Sequence, residues 1–100
     1  MPLFLDEHGG GRGLTAQRVA ALHRRDVEMQ ERWGVRFRDY WFEPRTGSFF
    51  CLAEGPTREA VEAVHRAAHG ILADRVVEVQ DGMLTWPPAP PGGMDSGGRP

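Results

Sequence analysis

The chain has 100 residues, is 40% apolar and 26% charged, and carries a formal net charge of −2 at pH 7. That is enough chain for one real core but not two; the weak negative charge gives no electrostatic ground for a nucleic-acid partner, and no apolar run approaches the roughly 20 residues of a membrane span. All twelve basic residues are arginine and the one cysteine is Cys51, which excludes lysine-based chemistry and an internal disulfide.

No basic segment precedes the short apolar stretch of "MPLFLDEHGG", so a secretory signal is not expected and the expected compartment is the cytoplasm. "PLFLDEH" (2–8) reads as a short strand that places Phe4, Asp6 and His8 on one face. "GGGRG" (9–13) ends it. Thr15 then offers an N-cap to a helix whose apolar positions are 19, 22, 29 and 33, and Gly34 closes it. "VRFRDYWF" (35–42) alternates with period two, setting Val35, Phe37, Asp39 and Trp41 against Arg36, Arg38, Tyr40 and Phe42. After the turn "EPRTG" (43–47), "SFFCLAE" (48–54) completes a hairpin. Thr57 caps a second helix, "REAVEAVHRAAH", which Gly70 ends, and "RVVEV" (75–79) is the last strand.

Strand, helix, strand, strand, helix, strand is the ferredoxin-like α+β plan: a four-stranded antiparallel sheet with both helices on one face. The other sheet face is left bare, and such faces on small proteins become interfaces. A homodimer of the dimeric α+β barrel type, joined through that face, is therefore expected. The single domain is drawn over residues 1–84. The remainder (85–100), "TWPPAPPGGMDSGGRP", is rich in Pro and Gly and is expected to be a disordered or polyproline-like tail, with Trp86 the one residue there able to dock back.

The chemistry-bearing residues are four histidines and a few carboxylates. His65 and His69 lie four apart in "AVHRAAHG", one helical turn, so they share a face. His23 precedes Asp26 by three positions on the first helix, and His8 ends the first strand two residues after Asp6. Both helices of this plan pack on one sheet face, so their histidine rows can converge on Asp6 or His8. Imidazole nitrogens with a few carboxylate oxygens suit Ni²⁺, Zn²⁺ or Cu²⁺. Cys51, mid-strand, joins only if its face points at the histidines; Glu54 is a further oxygen donor at the strand end. Against this stands the plainer reading: His69 interacting with the helix dipole, His23 at the solvent edge beside Arg24 and Arg25, and Cys51 a buried inert thiol. "GGGRG" fits neither a P-loop nor a dinucleotide fingerprint, and no serine sits in a nucleophile elbow. An alternative use of the same pocket is acid/base or metal-assisted catalysis on an organic substrate, with His23 and Asp26 as an oriented pair.

"DEH" (6–8), "GLTAQRVAALHRRDVEMQERWGV" (13–35), "YWF" (40–42), "FCLAEGPTREAVEAVHRAAHG" (50–70) and "VVEV" (76–79) together resemble a family of small bacterial nickel-binding proteins of ferredoxin-like fold, long described only as a domain of unknown function. The resemblance runs through nearly all of residues 2–79, and "AVHRAAHG" and "LHRRD" are its most specific parts. It implies a dimeric α+β protein that binds nickel through histidines, in metal sequestration or response. Carried over by position, the pattern falls on His8, His23, His65 and His69, with Asp6, Asp26, Cys51 and Glu54 among the matching polar positions. The glycine-heavy "GGGRG" loop and the tail depart from it.

Overall fold

The computed structural model describes residues 1–82; the expected tail and Trp86 lie outside the described residues. The elements are β1 (Leu3–His8), α1 (Ala16–Met29) running into a 3₁₀ turn (Gln30–Trp33), β2 (Arg36–Glu43), β3 (Ser48–Glu54), α2 (Arg58–Ala68) and β4 (Arg75–Val79). The strands form one antiparallel sheet in the order β2-β3-β1-β4, which is the ferredoxin-like topology with the chain's first strand in the centre. No helix among the described residues is long and apolar enough to cross a membrane.

Local chemistry sets these boundaries. The hydroxyls of Thr15 and Thr57 accept from the amides of Arg18 and Ala60, each at 3.1 Å, satisfying orphan donors in the first turn. Gly34 and Gly70 take left-handed φ values of 68° and 80° just beyond the helical segments, a conformation that carries no side-chain penalty at glycine. The Gly70 amide returns to the His65 carbonyl at 2.8 Å. The loop after β1 lies tight on the β2–β3 turn: a Cβ at Gly10 would run into the Thr46 carbonyl.

Phe4, Val19, Leu22, Phe37, Phe49, Cys51, Ala53, Val61 and Val64 form the buried core between helices and sheet. β2 departs from strict alternation. Phe37 pairs with Ala53, but Asp39 pairs with Leu52, so one extra residue is inserted and the faces exchange. Tyr40 and Phe42 join Phe37 against the core, whereas the sequence pattern put Asp39 and Trp41 there. The bulge keeps an unpaired carboxylate out of the core, where it would cost several kcal/mol, and leaves Trp41 48% exposed on the outer face.

Candidate metal centre

Four polar residues lie within this core: Asp6, His8, Asp26 and His65, each 1% exposed or less. They arrive from three elements. Asp6 and His8 alternate with Phe4 on the inward face of β1, opposite Cys51 and Phe49 of β3. Asp26 continues the buried row Val19–Leu22 of α1, and His65 belongs to the buried row of α2 with Val61, Val64 and Ala68.

Together they form a chain of alternating imidazoles and carboxylates. His8 Nε2 lies 3.0 Å from Asp6 Oδ1. Asp6 Oδ2 lies 2.7 Å from His65 Nε2, and His65 Nδ1 is 3.0 Å from Asp26 Oδ1. Asp26 Oδ2 is 3.3 Å from His69 Nε2. At the far end, His69 Nδ1 accepts the Ile71 amide at 3.1 Å, so its proton sits on Nε2, toward Asp26. His8 is stacked on Phe49, ring centroids 4.1 Å apart and 3° from parallel.

His65 has a carboxylate at each nitrogen, and both nitrogens can donate only when the ring is an imidazolium. Burial alone pulls its pKa down. The hydrogen bonds and charges of Asp26 and Asp6 overcome that and hold it at about 9. The reciprocal balance acts on Asp6: burial pushes it up, but the bonds and charges of His65 and His8 win and bring it to about 2. Asp26 is lowered by the same competition, with His65 and His69 as its partners. Cys51 is driven well above the ordinary thiol range, first by burial and then by the charges of Asp6 and Asp26; it is a protonated thiol in this state.

The donor atoms fall into two overlapping groups, Asp6/His8/Cys51/His65 and Asp26/His65/His69, in each of which they lie within 4.8 Å of one another. Metal–nitrogen and metal–oxygen bonds of about 2.0–2.2 Å make that spread close to what one ion spans. A second observation bears on the fit. His8 Nδ1 is buried and has no hydrogen-bond partner, and such orphaned atoms are rare. Nδ1 can take the ring proton, which frees the Nε2 lone pair for an ion shared with Asp6. The residues present fit a divalent transition metal.

Of the eight residues singled out from the sequence, six are brought together: Asp6, His8, Asp26, Cys51, His65 and His69. Two are not. His23 is half-buried, stacked on Tyr40 at 4.5 Å, and the Asp26 oxygens are turned to His65 and His69 instead. Burial lowers the His23 pKa, with Asp26 and Asp39 acting in the opposite sense. Glu54 alternates onto the other sheet face, where it meets Arg38 at 3.6 Å. Sequence reasoning missed Phe49, which fixes the His8 ring plane; its signal was the cross-strand register that sets it opposite His8. It also missed the Ile71 amide that sets the His69 tautomer, for which no sequence signal exists.

Residues 4–79 match the model of a family described as "Nickel responsive protein SCO4226-like". Among solved structures, SCO4226 from Streptomyces coelicolor A3(2) is similar, with 36% sequence identity and a TM-score of 0.73 over 80% of this chain and 98% of that one. No curated protein matches.

Proposed function

This chain belongs to the SCO4226-like nickel responsive protein family, and from that premise we propose that it binds Ni²⁺ through the buried cluster, in metal sequestration or response. The observation that carries the reading is the convergence of imidazole, carboxylate and thiol donors within 4.8 Å around His65. That donor set also accepts Zn²⁺ or Cu²⁺; the family description favours nickel. Asp6, His8 and His65, with Cys51, would hold an ion on the sheet side, and Asp26 with His69 would hold or support it on the helix side. A bound dication would supply positive charge to this buried, carboxylate-rich cluster.

The chain's own residues prepare that place with protons. The His65 imidazolium bridges Asp6 and Asp26 and prevents two buried carboxylates from facing each other uncompensated. To serve as a ligand His65 would give up a proton, and Asp6, no longer bound to that proton, would be available as an oxygen donor. Phe49 holds the His8 ring plane, and Phe37 packs beside His65, ring centroids 5.1 Å apart. Catalysis by a His23–Asp26 pair is less well supported, because Asp26 is engaged elsewhere.

The outer sheet face carries Leu5, Phe50, Leu52 and Val77, with Trp41 48% exposed, and a second copy of the chain is the partner proposed to cover it. A cytoplasmic location accords with a single, unpaired cysteine.

The test is calorimetric titration of chelator-stripped, tag-free protein with Ni²⁺, repeated with Zn²⁺ and Cu²⁺. Saturable binding at micromolar concentration or tighter is expected, weakened at least tenfold in a His65→Ala, His69→Ala variant. Heat of dilution alone for all three metals would sink the proposal.

A further inference from the structure

Where α1 passes the end of α2, an open groove of about 510 Å³ is lined by Arg18, Arg24, Arg25, Glu28, Ala68 and His69 among others. Its charge is lopsided. Arg25 is tied down, with Nε donating to the Ala68 carbonyl at 3.3 Å and Nη1 to Glu28 at 3.2 Å. Arg18 and Arg24 are exposed and have no acidic partner among the described residues. Three guanidiniums thus face one carboxylate in a concave place. Guanidinium forks match carboxylate and phosphate oxygens, and a cleft lined by one sign of charge concentrates the opposite sign.

The groove is also the place where the buried cluster comes nearest to solvent among the described residues: His69 is in its wall, while Asp6, His8 and His65 are closed off. A bare hydrated dication approaching by this route meets a wall of net positive charge, three guanidiniums against one carboxylate. A dication wrapped in carboxylates does not.

We infer that this groove binds a small polycarboxylate anion, free or wrapped around a divalent cation. The volume lies within the range of small-molecule sites and exceeds what a lone phosphate fills, and the two arginines without an acidic partner among the described residues, Arg18 and Arg24, call for more than one carboxylate. The free-anion site stands on the arginines alone; its use in delivering a metal rests on the function proposed above.

The experiment uses metal-free protein and follows backbone amide resonances during titration with citrate, and separately with inorganic phosphate. Citrate is expected to shift amides of residues 18–28 and 68–71 saturably. The Arg18→Gln, Arg24→Gln variant, whose changes lie on the solvent face, should bind citrate at least tenfold more weakly with an unchanged circular dichroism spectrum. Glu28→Gln, which removes the competing carboxylate, should bind it more tightly. No saturable shift with citrate, equal binding by the double variant, or tighter binding of phosphate than of citrate would each overturn the inference. Nickel binding in citrate-free buffer separates the two proposals: citrate binding without nickel binding leaves the groove and removes the metal centre, and the reverse removes the groove.

Discussion

The two faces of β1 invert the usual arrangement of a half-buried strand. Such strands turn apolar residues inward and polar ones to water. Here the inward positions of β1 are Phe4, Asp6 and His8, and the outward ones are Leu3, Leu5 and Glu7. The polar side chains are the better buried: Asp6 and His8 are at most 1% exposed, while Leu5 is only half-buried. Two polar groups in a core are tolerated only when other elements supply their partners, and α1 and α2 supply them here. On the outer face no helix among the described residues covers the sheet, and Leu5 is left beside Phe50 and Val77. The inner face is closed within the chain; the outer face is open to something else.

The largest effect should come from breaking the inner face. Asp6→Ala removes the acceptor of both His8 and His65 and leaves a buried imidazolium with one carboxylate. Removing one partner of a buried ion pair costs about 3–5 kcal/mol, so urea unfolding of the metal-free variant should show a loss of that size. Leu5→Ala on the outer face should cost clearly less. Equal losses at both positions would mean that the His–Asp chain contributes no more than ordinary packing.

Acidity is the next lever, and its direction follows from two groups. His65 is raised to about 9 from 6.5, so the stability it contributes is complete below pH 6.5 and is lost as the pH rises through 9. Asp6 is lowered to about 2 from 3.8, so its contribution is complete above pH 3.8 and is lost as the pH falls through 2. Metal-free protein should therefore be most stable between about pH 4 and 6.5, and should lose about 3 kcal/mol by pH 10. His23, lowered by burial, works against the acid side of this plateau, weakly because it is half-buried. Nickel affinity should run the other way, rising with pH up to about 9 as His65 gives up its proton. Calorimetry in buffers of different ionisation enthalpy should count at least one proton released per nickel at pH 7. A flat profile above pH 7 would remove His65 from the ligand set.

A smaller and sharper effect is expected at His8. His8→Phe keeps the stack on Phe49 but removes the Nε2 bond to Asp6 as well as the unpartnered Nδ1, leaving a buried carboxylate oxygen without its donor, so stability should fall by about 1–3 kcal/mol. Nickel binding should nonetheless weaken at least tenfold. Unaltered affinity would move the site to Asp26, His65 and His69.

Much of this centre was legible in the sequence because it rests on short periods. The period of two placed Asp6 beside His8, and the helical turn placed His65 toward the same space. The partner of Asp26 was not read correctly for an identifiable reason. His23 is its neighbour by three positions, but Asp26 also continues the row Val19–Leu22, which is the buried row; following the apolar row would have turned Asp26 away from His23 and into the core. The exchange of faces in β2 had no signature at all, since one inserted residue leaves every side chain in place and changes only which face it occupies. Glu54 was assigned by nearness in sequence, and the alternation of β3 carries it to the opposite face.

The outer face gives the smallest expected change in the fold and the clearest test of what covers it. Trp41 projects there 48% exposed, beside Phe50 on the neighbouring strand and directly opposite it in register. An exposed side chain has little packing to lose within its own protomer, so Trp41→Glu should alter monomer stability by about 0.5 kcal/mol or less. In a pair of chains joined face to face, the same substitution buries an unpaired carboxylate at the interface, and that cost falls wholly on association. Sedimentation should then find a dimer for the native chain and a monomer for the variant, each with the same nickel stoichiometry per chain. That last equality matters, because the cluster lies on the opposite side of the sheet and every donor in it comes from one chain. A variant that dissociates and also loses nickel would show that the two faces of β1 are coupled, and that a second copy holds the inner face in shape from behind.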